Sequence, residues 1–313
     1  MIAVKSAQEA LVITDFKFDN WVLGGNARDI SQLTKGSYKL LKVDFLRINS
    51  RFIALTHSIL SPRLIFINQN TFFRFWIISK LYRFMSKRII VLYTHSNSML
   101  TKREKNLLNA CEKIVVLNNS ESVYLRSAGI RCKIVVQPTG VDSEKFKPGH
   151  IRKSQNSVLL VSSFAERKNP RLILEVISHS TDYNFTLVGK EWERFEMFDV
   201  LLSCTNFSYV EYSYSKYMEC LQTCHIFLSL SIQEGGPLPL LESMACNLIP
   251  VVTATGYAPD LISDGVNGFL ISTICDLEEV RTALAKAAQS DFSPRSSVEL
   301  FSYQKYLEKF RFE

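Results

Sequence analysis

The chain lacks a repeated C-x-x-C pattern and has an odd number of cysteines. Its seven thiols, Cys111, Cys132, Cys204, Cys220, Cys224, Cys246 and Cys275, fit neither a disulfide framework nor a zinc ligand set. Cys220 and Cys224 lie one helical turn apart among apolar residues, a spacing more typical of a core helix than of a metal or redox pair. Long apolar runs are also missing. The greasiest stretch, 71–85, is broken by Arg74, Lys80 and Arg83, whereas crossing a bilayer takes about 20 nearly uncharged residues. Lys5, Gln8 and Glu9 stand where a secretory signal would have its apolar centre. There is no internal repeat and no low-complexity tract. These absences lead to the expectation of a cytoplasmic chain.

What is present suggests two domains. The length, 313 residues, suits two α/β domains of ordinary size, and 47% hydrophobic against 21% charged residues is a globular balance. The charge is split unevenly. Residues 1–150 carry 23 Lys and Arg against 10 Asp and Glu, whereas 151–313 carry 14 against 20. Only the first half is therefore suited to a polyanion.

Short β-branched runs alternate with longer helical patterns along the whole chain, the pattern of βαβ units. Strands are expected at 11–16, 63–68, 89–94, 113–118 and 133–137 in the first half. In the second they are expected at 158–163, 185–189, 225–230 and 250–254. Pro148-Gly149-His150 marks a boundary. The expected organisation is a domain over 1–150, a second over 151–296, and a terminal helix over 297–313 packing back toward the first.

The most informative stretch runs from Ile226 through Glu234-Gly235-Gly236-Pro237-Leu238 to Glu242. A buried strand enters a glycine turn and then a helix, which leaves amides at a helix N-terminus beyond the carboxyl end of a parallel strand. Such a place binds phosphate. Glu234 and Glu242 bracket the turn, and carboxylates are good acceptors for sugar hydroxyls. Amides for a diphosphate and acids for the rings together suit a nucleotide sugar.

This run, with Ile249–Gly256 and Leu261–Leu270 after it, resembles the retaining GT-B glycosyltransferases that include bacterial capsule, O-antigen and lipopolysaccharide transferases. Val158–Pro170, Ile134–Asp142 and Phe185–Gly189 resemble further pieces of the same pattern, so the likeness covers about 113–272. It implies two Rossmann-like, doubly wound domains facing each other across a cleft. Arg167 and Lys168 would neutralise the donor diphosphate, Glu242 would hold the ribose, and Glu234 would contact the donor sugar. Gly189 and the turn Gly235-Gly236-Pro237-Leu238 would line the donor. His95 would reach the donor sugar from the first domain. Gly24-Gly25, in the place of an N-terminal glycine loop, would meet acceptor and phosphates, although a plain turn explains them as well.

The implied reaction moves a sugar from a nucleotide-diphosphate donor, a UDP-sugar first, to a glycan or lipid-linked acceptor in cell-surface polysaccharide synthesis. No cofactor or metal is expected, and the sequence has no D-x-D, its nearest approach being Asp15 and Asp19. Two residues depart from the family pattern near the donor, Tyr257 and Asp260. Two other readings share the diphosphate site: a GT-B-fold sugar-nucleotide epimerase and a non-catalytic nucleotide-sugar-binding protein.

Residues 51–100 contain seven Lys or Arg and no acid, interleaved over 70–88 with Phe72, Phe73, Phe75, Trp76, Tyr82 and Phe84. Basic and aromatic side chains together favour an anionic membrane surface at the inner face of a membrane. The apolar residues spread around the helical wheel, so part of the segment belongs to the core. Nucleic acid is not an expected partner, because the second half is acidic.

Overall fold

The computed structural model describes residues 10–15, 29–31, 38–44, 46–75, 82, 85–95, 99–149 and 154–312. The chain divides into two compact units, Met1–Pro138 with Gln304–Glu313, and Thr139–Tyr303.

The first unit is built on a parallel sheet of six strands: β1 (Ala10–Asp15), β2 (Tyr38–Val43), β3 (Arg63–Phe66), β4 (Arg88–Tyr93), β5 (Lys113–Val116) and β6 (Lys133–Val136). They lie in the order β2-β1-β3-β4-β5-β6. The second sheet is also parallel, with β7 (Ser157–Ser163), β8 (Asn184–Lys190), β9 (Phe207–Glu211), β10 (Ile226–Ser229), β11 (Ile249–Thr253) and β12 (Phe269–Ile271) in the order β12-β11-β10-β7-β8-β9. That order is the Rossmann one, and it reverses between β7 and β10, where ligands of such sheets bind.

Period-two alternation places the core of the second unit. Val158 and Leu160, Ile226 and Leu228, and Ile249 and Val251 point to one face, where they join Leu172, Ile173, Val176, Val280 and Leu284 from two helices. Leu159, Phe227 and Val252 are equally buried and fall outside that cluster, so helices cover both faces.

Among the described residues the nine expected strands are present, and the three unforeseen ones, β2, β9 and β12, all lie at sheet edges. Edge strands are covered less fully. In β2, Lys39 and Lys42 are exposed between buried ends, so the continuous apolar run that marks a central strand is absent.

The unit boundary falls at Pro138, not at residue 150. Segment 139–149 is tied to the second unit, because Val141 bridges to Ser302 and Arg295 donates to the carbonyls of Phe146 (2.9 Å) and Ser143 (3.0 Å). A terminal helix is present, but over Tyr303–Glu308, and residues 304–313 belong to the first unit. There Lys113, 5% exposed, donates to the carbonyl of Arg311 at 2.9 Å. Phe312 lies under the guanidinium groups of Arg63 and Arg88.

Much of the basic, aromatic segment is internal. Arg74 pairs with Asp15 at 2.9 Å, Arg88 makes a two-pronged bond to Glu112 at 2.6 and 2.8 Å, and Lys87 donates to the carbonyls of Ile59 and Ser61. Phe72 and Phe75 pack on Phe66 in the core. Lys87 and Arg88 are thus engaged within the chain, whereas Arg74 remains 45% exposed beside Asp15. Trp76, Lys80, Arg83 and Phe84 lie outside the described residues.

Candidate functional site

The loops after β7 and β10 meet where the strand order of the second sheet reverses. The β7 loop carries a single turn, Glu166–Lys168, followed by Asn169 in the left-handed region at φ 58° and by the helix Pro170–His179. This conformation turns Arg167 and Lys168 toward the β10 loop. Their backbone is fixed there by Ile232, whose N–H donates to the carbonyl of Arg167 at 2.8 Å.

Both cations close on Glu234. Arg167 approaches Oε2 at 3.0 Å and Lys168 binds Oε1. Arg167 also donates to the carbonyl of Gln233 at 2.9 Å. The carboxylate side chain is 9% exposed and Lys168 15%, while Arg167 is 47% exposed. Burial alone would raise the carboxyl's pKa, but Lys168 and Arg167 outweigh it and hold Glu234 below the usual glutamate value. Burial in turn depresses Lys168 from the ordinary lysine value, against the opposing pull of Glu234.

The glycine turn is held from behind. The N–H of Glu234 donates to Thr255 Oγ1 at 3.0 Å. Gly256, at φ +59°, passes so close that a Cβ there would sit 3.1 Å from Glu234 Cβ and from the Gly235 carbonyl oxygen. The following helix begins at Leu238 with Pro237 at its N-cap. Pro237 and Pro239 have no N–H, so the donors of this turn are the amides of Gly235, Gly236 and Leu238.

Glu242 lies one turn into the helix. Its Oε2 accepts from the hydroxyl of Tyr217 at 2.5 Å, a residue of the helix Tyr214–Thr223. Burial raises its pKa, and the Tyr217 hydrogen bond and the Lys145 charge oppose that rise. Tyr212 and Tyr214 are 38% and 45% exposed. Lys190 lies over the Tyr212 ring and Lys145 over that of Tyr214.

Other candidates fall elsewhere. Gly189 is the penultimate residue of β8, where a Cβ would lie 2.1 Å from the Ser162 carbonyl oxygen and 2.8 Å from the Trp192 ring. Trp192 is fully buried and donates to that same carbonyl at 2.8 Å. Gly189 therefore carries a packing role that forbids a side chain there. Tyr257 is fully buried with its hydroxyl on the Pro237 carbonyl at 2.6 Å, so it props the glycine turn. His95 follows β4 in the first unit, and its carbonyl accepts from Gln69 at 2.8 Å. Gly24 and Gly25 lie outside the described residues.

Sequence reasoning missed Tyr217 and Thr255 as parts of this site, and placed Tyr257 near the donor without its supporting role. Tyr217 meets Glu242 across 25 positions, a separation that no local pattern reveals.

Comparison with known proteins agrees with this architecture. Residues 141–299 match the family model described as glycosyl transferases group 1. The chain is 27% identical over 181 residues to one subunit of the phosphatidylinositol N-acetylglucosaminyltransferase of Arabidopsis thaliana, covering 54% of this chain and 40% of that protein. It is 26% identical over 209 residues to N,N'-diacetylbacillosaminyl-diphospho-undecaprenol alpha-1,3-N-acetylgalactosaminyltransferase of Campylobacter jejuni, covering 57% and 55%. The chain thus spans about half the length of these relatives. Among solved structures, Anabaena Alr3699/HepE in complex with UDP and glucose superposes with a TM-score of 0.77 at 12% identity, over 96% of this chain and 97% of that one. The lipopolysaccharide outer core galactosyltransferase WaaB gives 0.73 at 14%, over 96% and 98%. At such identities the likeness establishes the fold, GT-B with its two Rossmann-like domains, and nothing finer. Since the family model covers half of the chain and includes the whole Glu234–Glu242 turn, the protein belongs to the glycosyl transferases group 1 family.

Proposed function

We propose that the protein is a glycosyltransferase that moves a sugar from a nucleotide-diphosphate sugar, a UDP-sugar first, to a glycan or lipid-linked acceptor, with retention and without a metal. The observation that carries this reading is the convergence of Arg167 and Lys168 on Glu234 at the reversal point of the second sheet. Two cations thereby stand beside the first-turn amides of a helix, a combination suited to a diphosphate.

In the proposed reaction the acceptor's hydroxyl oxygen bonds to the sugar's anomeric carbon as the bond from that carbon to the β-phosphate oxygen breaks; the electron pair stays on the phosphate oxygen, which takes up the hydroxyl's proton. Negative charge therefore grows where Arg167, Lys168 and the amides of Gly236 and Leu238 point. Fixed donors there stabilise the transition state more than the ground state, the service a metal ion gives in other transferases. Glu242 accepts from the ribose hydroxyls, with Tyr212 and Tyr214 beside it as faces for the base. Glu234 takes the sugar side. His95 is assigned to the transfer step on resemblance alone; its test is a loss of turnover with donor binding unchanged.

HepE was solved with UDP and glucose bound, and the Campylobacter relative is named for an undecaprenol-linked diphosphate substrate; both support the donor and acceptor classes proposed. A thermal-shift panel of UDP-, GDP-, ADP- and CMP-sugars tests the donor, since a ligand of the native state raises apparent stability. A shift with one nucleotide class, lost in Glu242→Ala, is expected. No shift with any of them overturns the reading, and donor conversion in the absence of acceptor would favour an epimerase.

A further inference from the structure

Four neighbouring strands of the first sheet begin with a cation. Arg63 opens β3, Arg88 β4, Lys113 β5 and Lys133 β6, and because these strands are parallel and adjacent the four residues share one end of the sheet, its amino end. Arg63 stands opposite Arg88 in the register, and Lys113 opposite Lys133. Like charges on neighbouring strands, about 4.8 Å apart, repel. Glu112 relieves one member of the row by its two-pronged bond to Arg88. The terminal segment then adds positive charge to this end of the sheet, since Lys309 and Arg311 lie beside Lys113 and Lys133.

A hollow of about 290 Å³ opens there, lined by Lys113, Lys133, Lys309 and Arg311 together with Glu308 and Phe312. Among the described residues that line it, cations outnumber acids by four to one. Lys113 is 5% exposed, and its ammonium is fixed by the Arg311 carbonyl. A charge is therefore held on the inner wall at a cost in solvation that an anion in the hollow would offset. Lys133 and Arg311 are exposed and supply mobile cations at the mouth. Phe312, with the guanidinium groups of Arg63 and Arg88 at 5.6 and 5.5 Å from its ring centre, gives one apolar wall.

We propose that this hollow binds a phosphorylated small molecule, which bridges Lys113 and Lys133 of the sheet to Lys309 and Arg311 of the terminal segment. A surplus of three positive charges is more than one carboxylate answers, whereas a phosphate monoester brings a charge of about −1.5 to −2 and three acceptor oxygens. A guanidinium such as that of Arg311 matches those oxygens two at a time. The volume equals that of roughly ten water molecules at about 30 Å³ each, room for a phosphate with a sugar-sized group; a nucleic acid or an acidic peptide would touch only the rim. Ligands of parallel sheets enter at the carboxyl ends of the strands, and this hollow lies at the amino ends, so it is a second site and not part of such a crevice. It shares no residue with the Glu234 turn, and the proposal is independent of sugar transfer.

The test adds pyrophosphate, a compact probe of this chemistry, to the full chain and follows amide hydrogen exchange by mass spectrometry. Because Lys309 and Arg311 ride on the terminal segment, exchange over 304–312 should slow about tenfold, less as salt rises. Lys133→Ala with Arg311→Ala should erase that protection. Both residues are exposed, so circular dichroism should be unchanged, and any slowing at the Glu234 turn, where the probe would meet the donor site, should persist. If the pair disturbs the fold, Lys309→Gln decides alone: weaker protection supports the proposal and equal protection overturns it. Unchanged exchange over 304–312 at millimolar pyrophosphate also overturns it, as does equal protection in the intact double variant. So does protection by heparin without protection by pyrophosphate, for then the occupant is a polymer of charges.

Discussion

Tyr217 donates its hydroxyl to Glu242 Oε2 at 2.5 Å, linking two helices of the second unit beside the glycine turn. Burial raises the Glu242 pKa and this bond works against it. Tyr217→Phe should therefore raise that pKa further. Donor affinity, measured by calorimetry as a function of pH, should lose its acid limb at higher pH than in the wild type, with about three- to tenfold weaker binding near neutrality. An acid limb that stays in place would separate Tyr217 from the site.

Glu242 also makes a prediction about stability. Its folded pKa lies above the unfolded one, so the fold prefers the protonated acid. That contribution is complete below the unfolded value and is lost as pH rises through the folded value. Glu242→Gln should accordingly be more stable than the wild type by about 1 kcal/mol near pH 8 and show no gain near pH 4. Thermal melts across pH give the comparison. Donor binding should be lost in the same variant.

The Glu234 cluster has the opposite sign. Its carboxyl is held below the usual value by Lys168 and Arg167 against the effect of burial, so its contribution is present above the unfolded pKa and fades as pH falls through the folded one. Lys168→Met leaves a carboxylate with 9% exposure beside only the more exposed Arg167. A loss of about 3 kcal/mol is expected near neutrality, shrinking under acid, in denaturant titrations at several pH values. UDP affinity should fall by about ten- to a hundredfold, steeply with salt.

At Gly189 the prediction is steric. A methyl group there would meet the Ser162 carbonyl oxygen at 2.1 Å and the Trp192 ring at 2.8 Å, in a strand paired on both sides. Gly189→Ala should cost about 3 kcal/mol or more, read as a fall in the unfolding midpoint. A donor-lining role without packing would instead weaken UDP-sugar binding and spare the midpoint.

The fold was legible in the sequence where burial is continuous. Central strands such as Ala10–Asp15, buried at all six positions, announce themselves; edge strands such as Phe207–Glu211, with one buried residue, have the composition of loops. The charged half of the site was legible for a similar reason, since Arg167, Lys168 and Glu234 sit on the two strand-to-helix turns that a Rossmann order brings together, with Glu242 in the helix that follows the second. What could not be read were the supports. Tyr257 looks like a departure at the donor, and only its contact with the Pro237 carbonyl shows it to be a prop. Gly189 looks like a ligand glycine until Trp192 is placed against it. The boundary at Pro148-Gly149 has good turn chemistry, but Arg295 draws the residues before it into the second unit.

The bond between Lys113 and the Arg311 carbonyl spans 198 positions, and this bears on how the protein is made. A ribosome adding about 5–20 residues each second has Lys113 out for roughly 10–40 s before its partner exists. The second unit, Thr139–Tyr303, is one uninterrupted stretch and is complete before residues 304–313 have been translated. The first unit therefore gains its last contacts after the second has been translated, and a variant cut after Tyr303 should keep a folded second unit beside a first unit that lacks the Lys113 bond.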